Sequence, residues 1–164
     1  MRSSVPKKSR FTSKELALLQ AFKREHVSFL LVGLSAAALQ GAPVVTQDID
    51  VWIKDLGSAK FQKAVKSVGG FYVPSFGLHP PMIGGEGLEL IDLITTMHGL
   101  KNFDDEYQQC RKIKISDTLT LPVLSLARIL KSKKAVGRPK DKAVIPILQD
   151  VLQVIRAKKN ENLF

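Results

Sequence analysis

A single cysteine, Cys110, stands among 164 residues, so no internal disulfide is available and a reducing compartment, by default the cytoplasm, is expected. Long apolar runs are missing too. The longest low-polarity stretch, residues 29–39, is broken by Gly33 and Ser35 and falls short of the ~20 apolar residues of a membrane span, so no membrane partner is expected. The basic opening MRSSVPKKSR is followed by no apolar segment, which argues against a secretory signal. Acidic residues are few: 15 Asp and Glu face 25 Lys and Arg. The net charge of +10 points to a polyanionic partner such as a nucleotide or nucleic acid, against the plainer reading of a generally basic surface. The three histidines, His26, His79 and His98, lack metal-ligand spacing, and Cys110 lacks a nucleophile's surroundings, so structural roles are expected for all four.

What remains is an ordinary globular composition, with 45% hydrophobic and 24% charged residues and a mean hydropathy of +0.02. A chain of this length buries enough surface to need no staple. One domain is expected over residues 12–158, between a flexible basic tail, 1–11, and a disordered C-terminal tail, 159–164. Thr12 and Glu15 form a capping-box pattern that opens a helix over residues 13–25. Strands are predicted at residues 28–32, 48–54, 71–74 and 88–95, and a strand pair at 112–115 and 120–124. Helices are predicted at 35–40, 58–68, 103–110 and 126–136, and the turn-rich stretch 75–87 reads as a surface loop. The last helix contains Pro146, which predicts a kink there or a separate turn over 139–145. Strands alternating with helices, then a helical end, make an α/β or α+β domain.

Three features carry chemistry. Asp48 and Asp50 sit at i and i+2 of a predicted strand, about 7 Å apart on one face, while Ile49, Val51 and Ile53 face a core. Both carboxylates can reach one divalent ion, although exposed acidic pairs on strands are common. Asp92 lies in an otherwise apolar strand, where a buried charge needs a cation: a metal shared with the other two, or a lysine. The turn Gly33-Leu34-Ser35 leads from a strand into a small helix and suits an anion, and Lys131, Lys133, Lys134, Arg138 and Lys140 form a basic run that fits phosphate or RNA, or else a solvated face.

Together GLSAAALQGAPVVTQDIDVWI (33–53), ELIDLI (89–94) and LPVLSLARILKSKKAVGRPKDKAVIPIL (121–148) resemble the nucleotidyltransferase-like family of the DNA polymerase beta superfamily, most of all the small bacterial relatives of the AbiEii toxins. The resemblance implies a mixed β-sheet flanked by helices, with a helical C-terminus. It implies transfer of a nucleoside monophosphate from a nucleoside triphosphate to a hydroxyl of RNA, tRNA or protein. Two magnesium ions, or manganese, would be held by Asp48, Asp50 and Asp92, with Asp92 beside the attacking hydroxyl. Gly33, Ser35 and Thr46 would lie on the triphosphate side, and Lys133, Arg138, Lys140 and Asp141 would match the family's C-terminal motif. A toxin–antitoxin setting, with an antitoxin as partner, is implied as well. The chain departs from the family pattern at Leu34, Val44 and Val144, which keeps a catalytically inactive nucleotide- or RNA-binding relative as the alternative.

Overall fold

A computed structural model describes residues 10–162. They run α1 (Ser13–Arg24), β1 (Phe29–Val32), α2 (Gly33–Leu39), β2 (Ile49–Ile53), α3 (Ala59–Ser67), β3 (Phe71–Val73), β4 (Met82–Gly84), β5 (Ile91–Ile94), α4 (Phe103–Gln108), β6 (Arg111–Ser116), β7 (Leu119–Val123), α5 (Leu126–Val136) and α6 (Pro139–Glu161). The five-stranded sheet has the order β5-β2-β1-β7-β6. β1 pairs antiparallel with β2 and parallel with β7, β2 parallel with β5, and β6 antiparallel with β7. The sheet is therefore mixed, as the family resemblance implies.

Local chemistry explains the elements. At the start of α1 the Thr12 amide donates to Glu15 Oε1 (2.9 Å) and the Glu15 amide to Thr12 Oγ1 (3.2 Å), which satisfies two of the helix's free N–H groups. Leu18, Leu19 and Phe22 of α1 are fully buried, and the Phe22 ring lies 5.3 Å from Phe29 of β1 and 5.8 Å from Phe61 of α3. All four residues of β1 are buried, which accounts for its unbroken apolar run at the sheet's centre.

Four expectations change. Phe11 is buried in the core, so the ordered chain begins before residue 12; residues 1–9 of the predicted tail lie outside the described residues. Met82–Gly84 forms a strand paired with β3 inside the stretch read as loop, because three residues after Pro80-Pro81 are too few to show an alternating pattern. α6 is one helix in place of a separate turn over 139–145. Pro146 and Lys142 are both exposed, so water can serve the carbonyl that the missing proline N–H leaves free, and the ~3 kcal/mol cost is offset by packing on α5. The same helix carries residues 159–161, in place of the disordered tail that the sequence predicts from residue 159. No helix of the described residues is long and apolar enough to cross a membrane.

Candidate active site

Alternation along β2 buries Ile49, Val51 and Ile53 and turns Asp50 to the opposite face, with exposed Asp48 just before the strand. Parallel pairing with β5 sets Asp92 directly beside Asp50. Further along the same face Trp52 is buried against Phe103 of α4, ring to edge at 5.3 Å, so only the aspartate end stays open.

That open end is one wall of a cleft of about 670 Å³. It is lined by Asp48, Asp50, Asp92 and Thr46 on one side, and by Lys133, Arg138, Lys140 and Asp141 from α5 and α6 on the other. Of the residues singled out in the sequence as candidates for the site, Gly33, Ser35, Lys131 and Lys134 do not line it. Gly33 lines a smaller cavity of about 150 Å³ that also touches Asp50, Lys133 and Arg138. Its φ is +68°, and a Cβ there would overlap the Asp50 carboxylate, so only glycine lets β1 turn into α2 beside that acid. Ser35 faces a different cavity, and its hydroxyl donates back to the Val32 carbonyl at 3.3 Å. The cleft also takes in His79, Pro80, Pro81 and Met82, to which the sequence reading gave no site role; the His-Pro-Pro turn was their only signal.

Asp92 is exposed rather than buried, because β5 is the edge of the sheet and its aspartate opens onto the cleft. The costly carboxylate is Asp50. Burial, reinforced by Asp92 and Asp48 and opposed by Lys133 and Lys140, raises it from 3.8 to about 6. Asp92, although exposed as a residue, is raised too: the cleft wall takes part of the water from its carboxyl group, and Asp48 adds repulsion.

Two of the three cations, Lys133 and Arg138, are held by a fourth acid. Gly137, in the left-handed region at φ +65°, ends α5; Arg138 caps α6, Pro139 opens it, and Asp141 in its first turn is buried. The Arg138 amide donates to Asp141 Oδ2 at 3.1 Å, its Nε to the same oxygen at 2.8 Å, and its Nη2 to Oδ1 at 3.3 Å. Lys133 Nζ lies 3.1 Å from Oδ1. These bonds, Arg138 first, hold Asp141 down at about 2. The G-R-P-K-D string is thus a corner between two helices, and it delivers Lys133 and Arg138 to the cleft as one unit.

Three carboxylates around one cleft suit a hard divalent cation, and the burial and the repulsion from Asp92 and Asp48 that raise Asp50 are what such an ion offsets. As the side chains stand, no three His, Cys, Asp or Glu among the described residues are grouped closely enough to hold one. The strained charge has a measurable consequence. Folded Asp50 keeps its proton to about pH 6, whereas the unfolded chain loses it near 3.8, so the cation-free protein loses stability as pH rises from about 4 to 6, by on the order of 2 kcal/mol. Melting curves in chelator should fall over that window, magnesium should restore the loss only above it, and Asp50→Asn should flatten the profile. A melting temperature that climbs through the window in chelator would contradict this account.

No family model matches the chain, and no curated protein matches its sequence. Solved structures do. A Thermotoga maritima protein provisionally named a nucleotidyltransferase superposes with a TM-score of 0.56 at 21% identity, over 88% of this chain and 89% of that one. ANT(2″)-Ia in complex with adenylyl-2″-tobramycin gives 0.57 at 16% identity, over 90% and 91%. The solution structure of the same antibiotic-resistance factor gives 0.56 at 15%, over 92% and 91%. In architecture, with its mixed sheet, flanking helices and helical end, the chain has the polymerase beta-like nucleotidyltransferase fold.

Proposed function

We propose that the chain is a nucleotidyltransferase that moves a nucleoside monophosphate from a nucleoside triphosphate to a hydroxyl acceptor. The observation that carries this reading is the meeting of Asp48, Asp50 and Asp92 with Lys133, Arg138 and Lys140 across one cleft. Asp48, Asp50 and Asp92 would hold magnesium or manganese, which when bound neutralises charge on the phosphates and on the entering and leaving oxygens. Lys140 and the Lys133–Arg138 pair bind and orient the triphosphate. Asp92 opens onto the cleft, where its carboxylate would help take up the acceptor's proton. An RNA, tRNA or protein hydroxyl is the acceptor class that follows from the sequence resemblance, and a toxin role with an antitoxin partner belongs to the same reading. The adenylyl-2″-tobramycin held by ANT(2″)-Ia adds a small polyhydroxylated molecule to the acceptors worth testing. Purified protein with each labelled nucleoside triphosphate, magnesium, and RNA, protein or aminoglycoside acceptors is expected to transfer label.

Two observations favour the alternative, a binding relative without turnover. The acids are not drawn together as they stand, and Val144 lines the cleft where the family pattern has an acid. Under that reading wild type binds nucleotide or RNA and transfers nothing with either metal.

Both readings place phosphate at the cations. Lys140 is exposed and makes no ion pair among the described residues, so Lys140→Glu should weaken triphosphate or RNA binding without unfolding the corner. The slope of log affinity against log salt should shrink by about 1. An unchanged slope would make Lys140 part of a solvated face.

A further inference from the structure

The tip of the β3–β4 hairpin is ordered by its own backbone. The Phe76 amide donates to the His79 carbonyl at 3.2 Å and the His79 amide to the Phe76 carbonyl at 2.8 Å, with Gly77 at φ +55° between them. This turn holds the two rings stacked, centroids 4.7 Å apart and planes 23° from parallel. Neither ring is supported by the core: Phe76 is 60% exposed, His79 is exposed, and Leu78 at the tip is fully exposed. His79, Pro81 and Met82 nevertheless face the cleft that holds the acids. Folding gains little from a ring pair kept in water, and an exposed apolar edge beside a polar cleft marks a contact surface.

We propose that the Phe76–His79 pair is a stacking platform for a nucleobase at the mouth of the cleft. Phe76 covers one face of the imidazole, which leaves the opposite face to a ligand. Across the same cleft stand Lys133, Arg138 and Lys140. A molecule that is planar at one end and anionic at the other spans both walls, and nucleotides have that form. The tight turn pre-orders the rings, so little conformational freedom is lost when a base docks. The platform rests on the nucleotide reading above. Its base comes either from the nucleoside triphosphate or from an RNA acceptor strand, which present the same flat surface.

Equilibrium binding in magnesium separates these sources. Wild type, Phe76→Ala and His79→Ala are each titrated with ATP, inorganic tripolyphosphate, a single-stranded RNA hexamer, and the same hexamer made abasic. The variants should lose roughly 5- to 150-fold in affinity for a base-carrying probe and stay within about twofold of wild type for its base-free counterpart. Loss confined to the ATP and tripolyphosphate comparison assigns the nucleotide's base, and loss confined to the RNA comparison assigns the acceptor's. His79→Phe, which keeps a flat ring, should retain affinity. Variants that bind ATP and RNA as wild type does, or that lose the base-free probes equally, overturn the platform while the nucleotide reading stands. Wild type that binds none of the four probes overturns both.

Discussion

Asp50→Asn should lower nucleotidyl transfer by about 10³-fold or more while leaving the protein folded and still able to bind RNA. Asp50 is the most buried of the three acids proposed to hold the cation, has Asp92 directly beside it and is packed against the backbone of Gly33. Removing its charge removes a ligand from any shared cation without changing the side chain's shape. In the absence of a cation the same substitution relieves repulsion from Asp92 and Asp48, so the variant should melt at a temperature equal to or above that of wild type. RNA affinity, which depends on Lys and Arg, should hold or rise because a negative charge has gone. If the chain acts as a toxin, growth arrest on expressing wild type should disappear with Asp50→Asn. Transfer that persists at the wild-type rate in this variant would move the chemistry away from the acid cleft.

Asp141→Asn should have the largest effect on stability, about 2–4 kcal/mol, which is a fall of roughly 5–15 °C in melting temperature for a chain of this size. The carboxylate is buried and accepts from Arg138 three times while facing Lys133, whose side chain is only 17% exposed. Neutralising it leaves a nearly buried ammonium without its counter-charge and weakens the first turn of α6. The pH dependence carries the opposite sign to that of Asp50. Folded Asp141 titrates at about 2, below its unfolded value of 3.8, so its contribution is present above about pH 4 and is lost as pH falls towards 2. Urea titrations at pH 7 and pH 3 test both points: the gap between wild type and variant should be wide at pH 7 and narrower at pH 3. An equal gap at the two values would show that the carboxylate's charge is not what stabilises the corner.

Much of the fold was legible because its signals are local. The capping box of α1, the four buried residues of β1, the alternation along β2 and the full span of α5 each follow from a few adjacent residues. The β3–β4 hairpin and the unbroken α6 were not legible. A three-residue strand has no period to read, and a proline's effect depends on whether its face of the helix meets water. The site divides in the same way. The i, i+2 spacing of Asp48 and Asp50 is a property of one strand, whereas the exposure of Asp92 depends on β5 lying at the sheet's edge.

By itself the sequence determined which side chains share a strand face or a helix turn, because pleat and helical pitch convert spacing into direction with no other information. It also determined the excess of positive charge. Only the tertiary structure decided that Asp92 stands level with Asp50, that Ser35 turns away from the cleft, and that Lys133 meets Asp141 across two helices. It also decided that His79 at the hairpin tip lines the same cleft as the acids. The level of Asp92 beside Asp50 and the reach of His79 to the acid cleft depend on strand order and parallel register between residues tens of positions apart. Contacts of that range are selected by the burial of the whole core, and no short window of residues encodes them.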